Sequence, residues 1–365
     1  MQKIISLIFV LATLAGFVGC GVVGGGSSGA SHLAYVTLPT VNGIGAFRVN
    51  NHSGALTSVF GTPVTVGASP TAIALHPSGN YLYVVNQGDA NISLLKIDSN
   101  TGSLTEVLPR TSTGLTPAGM VMNTGGTMLF VANQSSNSIS VYSINSTDGT
   151  LAQVSGSPFA TFTNPRNLAL SPSGKYLYVS HPNLASVAAY SVGSSGSLSL
   201  ITGSPFAVGN GPFAIAVQPS EKFLYVANSN ESTIQAMTID ANTGALTLVL
   251  GSVLSTGTNT NPMALAFDST GKYLCVANSQ TSVVSSYSLD ATTGIPTAVT
   301  ASSSASSGTH PVFLVLDSTG KFLLVANQDS KTITGFTVDS STGALASNSA
   351  SGTLNWQPAA IVTTK

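Results

Sequence analysis

The amino-acid sequence predicts an all-β chain closed into a seven-bladed β-propeller of four-stranded antiparallel blades. Three observations predict it. Prolines open short apolar runs at Pro70, Pro117, Pro165, Pro212, Pro262, Pro311 and Pro358, at spacings of 47, 48, 47, 50, 49 and 47 residues. Sixteen residues after the first six of them stand Asn86, Asn133, His181, Asn228, Asn278 and Asn327. No segment of ten or more residues after Ser31 carries a capped helical pattern, so essentially no helix is expected. A period of this length made only of strand-like segments points to blades repeated about an axis.

Each blade reads as strands a to d. In the repeat opened by Pro70, strand a is residues 71–75, and the proline stands where a missing N–H is tolerated best. Pro77-Ser78-Gly79 makes a turn into strand b, residues 81–85, rich in β-branched and aromatic side chains. Strand c is residues 91–97. Asn100-Thr101-Gly102 then turns the chain into strand d at residues 103–108. Later copies keep the punctuation, with Thr243-Gly244, Thr293-Gly294 and Thr342-Gly343 before strand d. Glycine meets the positive φ that such hairpins require.

The two ends complete one blade between them. Residues 32–38, 45–49 and 55–59 resemble strands b, c and d, but no strand a precedes them. The absent strand stands at the other end, residues 358–363. The ring is therefore expected to close with N-terminal strands b, c and d plus a C-terminal strand a. Such closure hides a sheet edge and removes the seam where the ring would open.

Composition narrows the function. Only 6% of residues are charged, with 11 basic against 12 acidic. Nucleic acid is not an expected partner, because its recognition needs a basic surface. The start of the chain reads as an export signal: Lys3 precedes an apolar run, residues 4–17, too short for an ordinary membrane span. The run ends in Phe17-Val18-Gly19-Cys20, which resembles the cleavage box of bacterial lipoproteins. The expected layout is a signal peptide at 1–19, a Gly/Ser tether at 20–31 and the propeller at 32–365. By that resemblance Cys20 carries the lipid, the chain is held to a membrane of the cell envelope, and the protein is exported. A plain secretory signal with an incidental cysteine is the other reading. Cys275, the second cysteine, stands where Tyr83, Tyr178 and Tyr225 stand in sister repeats and reads as a packing residue.

The strand-b ends Tyr83-Val84-Val85-Asn86, Phe130-Val131-Ala132-Asn133, Tyr225-Val226-Ala227-Asn228, Cys275-Val276-Ala277-Asn278 and Leu324-Val325-Ala326-Asn327 carry a family resemblance. So does Pro165-Arg166-Asn167 followed by Ser171-Pro172-Ser173-Gly174-Lys175. From residue 32 onward the chain is similar to the seven-bladed lactonase family of the 6-phosphogluconolactonase type. It also resembles the Tyr-Val-Thr-Asn repeats of surface proteins. The resemblance implies a lactone hydrolase acting on a small lactone or sugar acid. Family lactonases carry Pro-Arg-His at one strand-a start and Asn-Glu at one strand-b end. Here only Arg166 carries over residue for residue.

Residues that break the repeat on one rim are better site candidates than residues that obey it. The d–a connections and b–c loops share one face, and the non-repeating ionisable groups fall mostly there. Arg166 and His181 are the sharpest pair, since the start of strand a lies beside the end of the antiparallel strand b. In regular register their Cβ atoms stand roughly 5 Å apart. His181, kept neutral by the guanidinium, would deprotonate water, and Arg166 would stabilise the carbonyl oxyanion or hold a phosphate. His310 or Glu231 could orient the water. Arg110, Asp89, Asp329, Asn167 and Trp356 belong to the ligand rim. The structural alternative is that Arg166 and His181 satisfy carbonyls at the channel mouth. The repeated asparagines either brace the b–c turns or form a ring of amides around the channel, and Trp356 either stacks on a sugar or plugs the closing blade. Asp98, Asp240, Asp290 and Asp339 repeat where strand c ends and read as turn caps. No metal-ligand spacing, phosphate-cradling glycine loop or nucleophile elbow is found, so no metal or cofactor is expected. Two functions stay open: lactone hydrolysis, or a non-catalytic surface scaffold binding a glycan, peptide or protein at the loop-rich face.

Overall fold

Strand b is the most deeply buried part of every repeat, because each blade is covered on both faces by its neighbours. Phe223–Asn228, Tyr273–Asn278 and Phe322–Asn327 are buried along their whole length. This explains why strand b reads as a continuous apolar run rather than an alternating one. The computed structural model describes residues 31–299, 304–348 and 352–364. Cys20 and the expected export segment lie outside the described residues.

Seven antiparallel sheets run in the order a-b-c-d. We number the blades 1 to 6 from the opening proline, Pro70 to Pro311, and call the blade shared by the two ends the seventh. Blade 4 is typical: Pro212–Val217, Phe223–Asn228, Thr233–Ile239 and Leu246–Leu248. In six blades strand d is interrupted and resumes as a short second piece, such as Leu254–Ser255, which pairs with the same strand c. Blade 1 has one continuous strand d, Leu104–Ser112. The helical content of the described residues is two 3-10 turns, Pro39–Val41 and Pro182–Leu184.

The ring closes as the ends of the sequence predict. Ile361–Thr363 pairs antiparallel with Ser31–Leu38, matching Val36 to Ile361 and Ala34 to Thr363. The Thr37 N–H donates to the Ala360 carbonyl at 3.0 Å and the Thr364 N–H to the Leu33 carbonyl at 2.8 Å. Both faces of this seventh blade are covered. Tyr35 packs with Ile73, Leu82 and Leu95 of blade 1, while Ala34 and Val36 pack with Leu324, Ala326 and Ile333 of blade 6.

Polar staples join neighbouring blades at the same place around the ring. The strand-b tyrosines Tyr35, Tyr83, Tyr178 and Tyr225 donate to the carbonyls of Gly102, Gly149, Gly244 and Gly294 at 3.2, 2.6, 3.0 and 2.7 Å. Each of those glycines ends the c–d turn of the next blade, at positive φ. The capping aspartates act as the sequence predicts. Asp98, Asp240, Asp290 and Asp339 each accept two backbone N–H bonds within the c–d turn. Those bonds hold the four carboxyls below their ordinary pKa.

Candidate functional site

The repeated asparagines brace the blade from inside. Asn86, Asn133, Asn228, Asn278 and Asn327 are at most 1% exposed. Each directs its Nδ2 to polar side chains five or seven residues on, as Asn133 does to Ser138 and Ser140 at 3.1 and 2.9 Å. Of the two readings, the structure supports the brace. In blade 3 His181 holds this place, and in blade 7 Leu38 does. Both are followed by a proline and by the two 3-10 turns of the fold, which replace the braced b–c loop.

A bulge opens strand a. In blade 4 Pro212 faces Asn228 and Ala214 faces Ala227, leaving Phe213 as an extra residue. The same shift recurs in blades 1, 2, 5 and 6. A bulge re-aims its side chain. The residues at this position around the ring are Thr71, Ala118, Arg166, Phe213, Met263, Val312 and Ala359, and all are half-buried. Arg166 is the one charged member.

In blade 3 the regular strand a begins only at Leu168, and two backbone bonds hold its start. The Arg166 N–H donates to the Ser180 carbonyl at 2.9 Å, and the Ser180 N–H donates to the Asn167 carbonyl at 3.0 Å. Two residues thus face Ser180, so Arg166 is not placed opposite His181. The Arg166 guanidinium lies over the Phe213 ring, 4.5 Å from its centroid. It has no hydrogen bond or ion pair to any described residue, and neither does the Asn167 side-chain amide. Burial pushes the Arg166 pKa down from its ordinary value, and the stacked ring offsets part of that desolvation. The strand start also comes close to blade 2. A Cβ on Gly119 would meet the Arg166 carbonyl oxygen at 2.5 Å, and Gly119 is the glycine among positions otherwise held by Ala72, Asn167, Ala214, Ala264, Phe313 and Ala360.

His181 is fully buried. Its Nδ1 is 3.0 Å from the Thr163 carbonyl, which fixes the proton there. Nε2 is 3.3 Å from the Thr161 hydroxyl, which in turn accepts from the Tyr190 hydroxyl at 2.7 Å. The Phe162 ring meets the imidazole edge-on. Burial lowers the His181 pKa, so the ring is held neutral by desolvation rather than by the guanidinium. The expected Arg–imidazole couple is therefore not assembled: both belong to one strand pair, but the bulge sets Arg166 over Phe213 of the next blade and leaves His181 under the d–a connection.

The other rim candidates divide into paired and unpaired groups. Arg110 makes a two-pronged bond to Glu106, at 2.8 and 3.1 Å, and lies 3.7 Å from Asp89. Its charge is already met. His310 stands 3.1 Å from Asp329 on the exposed rim. Glu231 is exposed, with its carboxylate over Gly209. Trp356 packs with the cluster of Ala34, Leu38 and Phe47, as a plug on the closing blade would. Sequence reasoning missed Ser180. Its signal was a hydroxyl where sister blades carry Val85, Ala132, Ala227, Ala277 and Ala326.

A cavity of about 710 Å³ opens on the opposite, turn-rich face, floored by Leu75, Met122, Leu316 and Val362. Its cation Arg48 is tied to the carbonyls of Asn100 and Thr101 at 2.7 and 2.9 Å. Both ring nitrogens of its His76 are hydrogen-bonded. The cavity is roomy, and its other imidazole, His32, has Nδ1 2.7 Å from the Asn51 side-chain oxygen and Nε2 3.6 Å from the Asp317 carboxylate.

Seen against known proteins, the model of the lactonase family of seven-bladed β-propellers matches residues 28–161, 106–211, 153–258, 198–307 and 258–355. No curated protein matches the sequence. Among solved structures, a protein of Bacteroides fragilis provisionally named a 6-phosphogluconolactonase is similar over 93% of this chain and 99% of its own, with a TM-score of 0.80 and 23% identity. A Bacteroides uniformis protein of the same provisional name covers 91% and 99%, at TM-score 0.79 and 21% identity. The periplasmic gluconolactonase of Pseudomonas aeruginosa covers 92% and 99%, at TM-score 0.77 and 20% identity. At these identities the likeness concerns the fold. The overlapping family matches span nearly the whole propeller, and the chain belongs to the lactonase family of seven-bladed β-propellers.

Proposed function

We propose that the protein hydrolyses an uncharged sugar-acid lactone at the Arg166 mouth of the channel. The unpaired Arg166 guanidinium carries this reading. A lactone is a strained or activated ester, and it needs its carbonyl polarised more than it needs a strong base. Water adds to the carbonyl carbon, the negative charge gathers on the carbonyl oxygen beside Arg166, and the ring C–O bond breaks. The ring oxygen leaves as a hydroxyl, taking up a proton, and the product is the open hydroxy acid. Arg166 stabilises the oxyanion, and the Asn167 amide is free to hold a sugar hydroxyl. Glu231, exposed and unpaired on the same rim, is the candidate to handle the proton. His181, with both nitrogens bonded, acts as a buried support.

Charge favours the uncharged substrate over a phosphorylated one. A phosphate dianion would meet one unpaired guanidinium at the mouth, since Arg110 is matched by Glu106 and Asp89, and Glu231 would repel it. Turnover of an aldonolactone and of its 6-phosphorylated form by the purified protein tests this. The plain lactone is expected to be hydrolysed faster, and Arg166→Met to lose about 10²–10³ in kcat. A variant at full rate, or a preference for the phosphorylated form, would remove the reading.

The buried state of His181 favours a second reading, a scaffold that binds a glycan, peptide or protein at the same rim without turnover. No hydrolysis by wild type, together with Arg166-dependent capture on a glycan array, would select it. We further propose that the protein is exported and held at the cell envelope by lipid on Cys20. An uncharged lactone is a substrate available outside the cytoplasm, which agrees with that placement.

A further inference from the structure

We propose that Ser180 is the positioning residue of the site: its hydroxyl sets the Arg166 guanidinium and the Phe213 ring against each other across the boundary between blades 3 and 4. This rests on the Arg166 reading above and deepens it. Ser180 is fully buried at the end of strand b. Its Oγ accepts the Asn167 N–H at 3.0 Å and donates to the Phe213 carbonyl at 3.2 Å. One hydroxyl therefore holds the bulge that carries the cation and the backbone that carries its aromatic floor.

The seventh blade contains an internal precedent. Thr37 is the equivalent of Ser180, and its Oγ1 accepts the Ala360 N–H at 2.9 Å. The flanking bonds match as well: the Ala359 N–H donates to the Thr37 carbonyl at 3.0 Å, as the Arg166 N–H does to Ser180. Blades 3 and 7 are also the two with a proline 3-10 turn between strands b and c. The hydroxyl thus accompanies this strand-a start in both blades, and its oxygen takes the second bulge N–H. Blade 7 puts Ala359 on that bulge and so has no charged group to aim. Blade 3 puts Arg166 there. Without the hydroxyl, the Asn167 N–H loses its acceptor and the bulge is free to relax.

The test compares Ser180→Ala with Ser180→Thr in the full-length protein. Alanine and valine are native at this place in sister blades, so the fold tolerates the change; if Ser180→Ala fails to fold, Ser180→Cys takes its place. The first readout is NMR. Stacking on Phe213 shifts the Arg166 Nε–H and Hδ signals upfield, with Phe213→Leu as the unstacked reference. Ser180→Ala is expected to move these signals toward the reference, and Ser180→Thr to keep them. The second readout is kinetics on the aldonolactone. Ser180→Ala is expected to lower kcat by about 10- to 100-fold with KM little changed, and Ser180→Thr to restore it. If Ser180→Ala keeps the Arg166 shifts, the positioning role is overturned, whatever happens to the rate. If the shifts move and the rate does not, the positioning stands and the catalytic reading of Arg166 fails. If wild type is inactive on every lactone, the function fails and the NMR comparison still decides the role of Ser180.

Discussion

Removing one hydroxyl from the tyrosine staples tests how the blades hold together. Tyr225 is fully buried and donates to the Gly294 carbonyl of the next blade at 2.7 Å. Tyr225→Phe keeps the ring and leaves that carbonyl without its partner. An unsatisfied buried polar group costs about 1–3 kcal/mol. Unfolding entropy near 60 °C is about 2.1 cal/mol/K per residue, so the propeller expected over residues 32–365 has about 0.7 kcal/mol/K. The Tm is therefore expected to fall by about 1–4 °C. Differential scanning calorimetry measures it. Tyr81→Phe is the control, because its hydroxyl donates to the Thr147 carbonyl at 3.0 Å in an exposed setting and water can replace it. Blade 2 carries Phe130 at the staple position, so the substituted ring fits the fold. Equal melting temperatures for wild type, Tyr225→Phe and Tyr81→Phe would refute the staple argument.

His181→Asn should change how stability depends on acid. Native His181 is held neutral below its ordinary pKa, while the unfolded residue titrates near 6.5. As pH falls through that value the unfolded chain takes up a proton that the native chain refuses, so wild type loses stability relative to the variant. The new Asn also offers a donor to the Ser186 hydroxyl, which lacks one now and stands where sister asparagines donate. Urea midpoints at pH 8 and pH 5 check this, and a wild-type-to-variant difference unchanged by pH would contradict it. For the anchor, labelling cells with a clickable fatty acid should mark the wild type and not Cys20→Ala; equal labelling of both would remove the lipid from Cys20.

Much of the fold could be read from punctuation alone. The proline period, the Gly-ended turns and the divided blade are local or periodic signals, and each is present in the folded chain. The rim was also legible, because a residue that departs from six sister positions stands out: Arg166, Asn167 and His181 were found that way. Which of them meet was not legible. Regular register would put Arg166 beside His181, and one extra residue in strand a changes that. Pairing of Arg110 was equally hidden, since Glu106 lies four residues away on a strand whose continuity in blade 1 differs from the other six.

The sequence by itself determined that seven strand-built units close into a ring, and on which face the irregular charges gather. It could do so because hydrophobic period and turn chemistry act over a few residues and repeat. The tertiary structure alone decided that Arg166 is unpaired over Phe213, that His181 is sealed beneath Thr161–Thr163, and that Ser180 ties two blades together. Those outcomes depend on a bulge of one residue and on the neighbouring blade pressed against it. Contacts between blades join residues tens of positions apart, and no local pattern encodes the direction in which a bulged side chain points.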